Sequence, residues 1–229
     1  MFDLHGYGNS LLQGTLLTIE LSLVSLVVSM VLGIITAMVK LSAPKPLRFA
    51  AAAYTTIIRG IPSLVVMLLL FYGGQVFINQ LAPMIGYEEY IDINPFMAGA
   101  TTIGFIFGAY MAETFRGAIL AVPYGQMEAG TAYGMSRFMV FYRILLPQMV
   151  RHAIPGFANN WLVLMKTTAL VSIIALNDVV RMASLAAGAT QKPFTFFLAV
   201  AVIYLILTSI SIVIINWVNK KYSVGIIKS

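Results

Sequence analysis

Apolar residues along this chain gather into long unbroken runs, with no strand-like alternation of apolar and polar positions. Neither the run 61–87 nor the run 193–219 holds a single charged residue. A helix needs roughly 20 apolar residues to cross a hydrocarbon core. Five stretches meet that requirement, near 11–39, 61–82, 95–115, 156–176 and 194–217. The first carries only Glu20 as a charge and the fourth only Lys166. Without period-two patterning, these runs predict spanning helices, not an outer-membrane barrel. The first run resembles a signal-peptide core, but its leader, 1–10, has no Lys or Arg and the run is about twice the usual length. It is expected to be retained as a span.

Composition sharpens this picture. The 229 residues are 60% hydrophobic and 10% charged, where soluble chains average about 45–50% and about 25%. A globule of this size has too little interior to hide so much apolar side chain. A soluble enzyme is therefore excluded. The absence of cysteine removes disulfides, thiolate metal sites and cysteine nucleophiles. Two histidines, His5 and His152, are too few and too far apart to suggest a metal site.

The net charge of +6 matters less than where it falls. Lys40, Lys45, Arg48 and Arg59 lie between spans one and two with no acid, and Glu88, Glu89 and Asp92 lie between two and three with no base. The third connection has Arg116, Arg137, Arg143 and Arg151 against Glu128. The fourth, around Asp178, Arg181 and Lys192, is mixed, and the tail has Lys220, Lys221 and Lys228. Basic loops favour the cytoplasm, so the N-terminus is expected outside and the C-terminus inside. Tyr87, Tyr90, Trp217 and Tyr222 fall where interfacial aromatics are expected. No internal repeat divides the chain, so 1–229 reads as one all-α polytopic membrane domain. Five helices are few for a closed polar pathway, which points to oligomerisation.

About 35 residues, near 118–152, separate spans three and four, long for a connection with no role of its own. This stretch is rich in Met, Phe, Tyr, Leu and Ile, unlike a disordered tether. Pro123 suits a helix start, Gly134 a break and Pro147 an end, predicting short helices near 124–133 and 136–146. The second gathers Phe138, Phe141, Tyr142 and Leu145 on one face. Such a pair either lies on the membrane surface or docks a cytoplasmic partner.

Within it, Glu128-Ala129-Gly130, three residues, Gly134, nine residues, then Ile144-Leu145-Leu146-Pro147 resembles the EAA signature of ATP-binding-cassette importer permeases. The spacing is met throughout, and Gly130 departs from the family's second Ala. Arg59-Gly60-Ile61-Pro62, the 110–117 stretch Tyr-Met-Ala-Glu-Thr-Phe-Arg-Gly, and Lys166-Thr167-Thr168-Ala169-Leu170-Val171-Ser172 resemble elements of the polar amino-acid branch of those permeases. Asn159-Asn160-Trp161 and Tyr222-Ser223-Val224-Gly225 are similar to its histidine and basic amino-acid members.

The resemblance implies a type I importer permease fold, with five spans and a cytoplasmic coupling loop, in a bacterial inner membrane. It implies two ATPase subunits seated on that loop, a second permease subunit, identical or paralogous, and an extracytoplasmic solute-binding protein that delivers an amino acid. Glu128, Ala129, Gly130, Gly134, Ile144, Leu146 and Pro147 would meet the ATPase. The chain has no Gly-x4-Gly-Lys-Ser/Thr loop, so ATP is expected on the partner chain and no cofactor on this one.

Intramembrane charges are costly unless they face a cavity or a partner. Glu113, with Arg116 three residues on, either satisfies itself in an intrahelical pair or meets a cationic substrate. Asp178 is either a helix cap or a substrate contact. Lys166, near the middle of span four, is expected to snorkel or to pair with an acid on another helix, ahead of binding a substrate carboxylate directly. Glu20 is a weaker substrate candidate; Tyr72, Met67 and Thr168 line a cavity or simply pack. An ion- or proton-coupled amino-acid carrier using Glu20, Glu113 and Lys166 as relays is the alternative, and a membrane scaffold a third reading.

Overall fold

The computed structural model describes residues 4–87 and 89–222. Glu88, Lys228 and the stretch 223–225, on which parts of the charge and resemblance readings fall, lie outside the described residues. The described residues form helices α1 (Gly8–Ser42), α2 (Lys45–Gly60), α3 (Ser63–Leu81), α4 (Pro95–Leu120), α5 (Tyr124–Ala132), α6 (Arg137–Val140), α7 (Leu146–Thr167), α8 (Val179–Thr190) and α9 (Pro193–Tyr222). Among the described residues, five helical stretches are long and apolar enough to cross a membrane: Gly8–Ser42, Ser63–Ile85, Pro95–Leu120, Arg137–Ile174 and Pro193–Lys221. Each overlaps one of the expected runs, with 61–62 and 175–176 falling outside the second and fourth.

The third span, α4, is the axis of the fold, because small side chains let its neighbours approach closely. A methyl added to Gly104 would stand 2.4 Å from Val28 Cγ1, and one added to Gly33 of α1 would stand 2.5 Å from Met111 Cβ. Glycine at these reciprocal positions brings the α1 and α4 backbones together, the usual basis of helix association where lipid removes the hydrophobic drive. Leu21, Met67, Ile103, Ile106, Phe107, Leu164 and Val171 fill the space around this contact and are buried.

Two helices stand where connections are expected. The chain after Pro44 forms α2, which is tied to α4 by the Tyr54 hydroxyl donating to the Phe105 carbonyl at 2.6 Å. Its charges mark it as a loop in sequence, yet its Ala-rich middle, 50–53, is helix-forming. The second is α8, whose start packs on α1. The Val179 amide donates to Thr18 Oγ1 at 3.3 Å, and Gly14 leaves room for the Val179 backbone.

A third difference lies at Pro147, which does not end a helix. Helix α6 passes through a π-helical turn, Phe141–Leu145, directly into α7. The Leu146 amide bonds back to the Phe141 carbonyl, five residues earlier. Proline is tolerated in the first turn of α7, where it has no amide to satisfy. The wider π turn carries the helix past it. The fourth span therefore runs as one helical element from Arg137 to Ile174.

Candidate functional site

The arm between spans three and four is built from local sequence. Helix α5 ends in a Schellman turn: the Met135 amide donates to the Gly130 carbonyl at 3.1 Å and the Gly134 amide to the Thr131 carbonyl at 3.0 Å. Gly134 takes φ +80, the left-handed value this turn requires. Ser136 then caps α6, its hydroxyl accepting from the Met139 amide at 3.3 Å. The chain reverses so that α5 lies against the base of span four. Gln148 Nε2 donates to Gln126 Oε1 at 2.6 Å and to the Ile144 carbonyl at 3.0 Å. Gly130 is buried, facing Ile144, Val140 and Met135.

Among the motif residues this arrangement separates a packing set from a presented set. Gly130, Ile144 and Leu146 join α5 to the base of span four or lie half-buried there. Glu128, Ala129, Gly134 and Pro147 are exposed. Around them stand Tyr124, Tyr133, Phe138 and Tyr142, all strongly exposed. Phe138 and Tyr142 stack with ring centroids 6.3 Å apart. Large aromatics gathered beside a bare carboxylate, on an arm hinged by capped turns, form a surface suited to a protein partner.

The candidate substrate residues are placed differently. The Glu113 carboxylate sits between two cations: Lys40 of α1 hydrogen-bonds Oε1, and Arg116 Nε donates to Oε2 at 3.0 Å. Lys40 also donates to Thr55 Oγ1 of α2 at 2.9 Å. One acid thereby ties α1, α2 and α4 together. Lys40, which reads in sequence as a loop charge, is its main partner. Asp178 is fully buried as the N-cap of α8, accepting from the Arg181 amide at 2.9 Å and the Val180 amide at 3.3 Å. Thr168 and Met67 are fully buried, and the Thr168 hydroxyl donates to the Met165 carbonyl at 2.6 Å. Tyr72 is exposed, edge-on to Phe71.

Glu20 and Lys166 are both exposed on their spans. The expected acid partner of Lys166 is absent among the described residues. Arg59, by contrast, lies 5.3 Å over the Tyr110 ring, a cation–π contact at the entrance to the second span. No property of the Arg-Gly-Ile-Pro stretch pointed to that pairing, because Tyr110 lies on another helix.

Residues 29–224 match the family described as binding-protein-dependent transport system inner membrane component. The chain is 47% identical over 223 residues, 97% of each chain, to the histidine/lysine/arginine/ornithine transport system permease protein HisQ of Escherichia coli (strain K12). It is 38% identical to the octopine transport system permease protein OccQ of Rhizobium radiobacter, covering 92% of this chain and 89% of that one. It is 36% identical to the arginine ABC transporter permease protein ArtQ of Escherichia coli (strain K12), covering 90% and 91%. A crystal structure of an amino acid ABC transporter with histidines matches with TM-score 0.80 and 28% identity, covering 94% of this chain and 95% of that one. The inward-facing MetNI methionine ABC transporter matches in fold, with TM-score 0.73 and 17% identity, covering 93% and 96%.

Proposed function

The chain belongs to the family of binding-protein-dependent transport system inner membrane components and is a permease subunit of an ABC amino-acid importer, and from that premise we propose that it carries histidine and the basic amino acids inward. The single observation behind this cargo is the 47% identity, over 97% of both chains, to a permease of histidine, lysine, arginine and ornithine transport. A solute-binding protein delivers the cargo from outside, and a second permease subunit completes the pathway. The N-terminus lies outside and the C-terminus in the cytoplasm, in keeping with the basic loops.

In this reading the arm α5–α6 is the drive. Glu128 and the exposed aromatics engage an ATPase subunit, which binds and hydrolyses ATP. Because α6 continues through the π turn into α7, a push on the arm reaches the middle of span four without crossing a flexible joint. The Gln126–Gln148 bond and the Gly130 contact hold α5 to the same element. Glu113 and Asp178 brace the helices within this subunit rather than select cargo.

The test is uptake of labelled arginine and histidine into proteoliposomes holding the permeases, the ATPase and the binding protein. Uptake is expected only with ATP inside the ATPase-facing compartment. Uptake driven by a proton gradient without ATP or ATPase would replace this reading with that of a coupled carrier.

A further inference from the structure

Helix α7 carries three polar side chains at seven-residue spacing: His152, Asn159 and Lys166. Seven residues are close to two helical turns, so the three fall on one line along the helix. All three are exposed, with Pro155 and Val163 beside them. None makes a hydrogen bond or ion pair among the described residues. The opposite side of α7 carries Ala153, Asn160 and Leu164, which are buried against this subunit's own helices. Asn160, next in sequence to Asn159, donates to Thr114 of α4 at 3.0 Å. The two adjacent amides thus do opposite things, one packing inward and one left outward.

An amide and an ammonium aligned on the outer face of a spanning helix would be costly against lipid, and His152 continues their line toward the arm. The exposed face of α9, by contrast, is formed largely by Val202, Leu205, Ile206, Ile210, Val213 and Ile214, while Glu20 stands exposed on α1. The alignment of three exposed polar groups marks the α7 line as a wet face. Resting on the importer reading above, we infer that this face lines the amino-acid pathway and that Lys166 receives the α-carboxylate of the passing substrate. Every α-amino acid carries that carboxylate, whatever its side chain, and an unpaired ammonium is its simplest complement. Lys166 is the cation on this line, and Asn159 offers an amide two turns nearer the arm. Lys166 therefore serves all cargo alike; it does not discriminate basic from neutral side chains.

The absence of native cysteine makes the test clean. Lys166→Cys, Asn159→Cys and, as a lipid-facing control, Leu205→Cys are made in the complete transporter. Each is treated in membranes with a charged thiol reagent, with and without arginine and the binding protein. Cys at 166 and 159 is expected to react, with arginine slowing the reaction at 166, while Cys at 205 stays unreactive. Uptake by Lys166→Cys is expected to fall by about tenfold or more for arginine, histidine and glutamine together. Treatment with 2-aminoethyl methanethiosulfonate, which restores an ammonium, should recover it; methyl methanethiosulfonate should not. Unreactive Cys at both 166 and 159 overturns the inference, as does wild-type uptake by Lys166→Gln or equal recovery with the neutral reagent. Absence of ATP-driven uptake in the wild type would instead defeat the importer reading, and labelling would still report the wet face.

Discussion

A methyl group on Gly130 would stand 2.6 Å from Cδ1 of Ile144, so the two ends of the coupling signature meet across the arm. The residue that departs from the family pattern is the one that lets Ile144 seat against α5. The obstructing atom is the tip of a flexible side chain, while Val140 Cγ2 follows at 3.3 Å.

Gly130→Ala is therefore expected to be mild. It gains about 1 kcal/mol of helix propensity and asks Ile144 only to change its tip position. Gly130→Phe has no such outlet and should lift α5 off the base of span four. Uptake and copurified ATPase, measured together, should be near normal for Ala and low for Phe. Normal values for Phe would mean that this contact does not hold the arm.

Gly134→Val is expected to impair ATPase docking for a different reason. Nothing lies within 4 Å of the added Cβ, so the cost comes from φ +80, about 1–2 kcal/mol for a side chain with Cβ. Gly134→Asn, which tolerates that region better, should be intermediate. Equal copurification of ATPase with Val, Asn and wild type would exclude the turn as a coupling element.

Removing the carboxylate at Glu113 leaves Lys40 and Arg116 facing each other without an acid. Glu113→Gln should lower permease stability by about 1–3 kcal/mol, less than for a fully buried pair because Arg116 is partly exposed. Adding Lys40→Met should recover part of it. Arginine, histidine and glutamine uptake should fall together. Loss confined to arginine and histidine would make Glu113 a substrate group.

Asp178→Asn should be close to neutral for all three substrates, because Asn caps a helix nearly as well as Asp, whereas Asp178→Ala should cost about 1 kcal/mol. Thermal unfolding of the purified permease reads the cap. A selective loss of arginine uptake in Asp178→Asn would contradict the bracing role.

The spans were legible because lipid demands long apolar runs, and the arm was legible because Glu128, Gly134 and Pro147 keep a fixed spacing. Helices α2 and α8 were not, since Lys45, Arg48, Asp178 and Arg181 give their starts the charge of loops. Proline at 147 reads as a terminator, and only the π turn before it shows why the helix continues. The partners of Glu113 and Asp178 are tertiary facts, for Lys40 lies 73 residues from Glu113. The line His152–Asn159–Lys166 is present in the sequence as a period of seven. Taken singly, each residue hides it, and the buried opposite face is what gives it meaning.

In the importer reading, α5 and span four move as one stiff lever. The direct measurement is ATP-driven arginine uptake by a Gln126→Cys/Gln148→Cys variant, before and after joining the two thiols with a short bifunctional reagent. These side chains already touch, so fixing them should leave uptake unchanged. Uptake that is normal in the unlinked variant and abolished by the link would show that α5 must slide on span four, contradicting the lever.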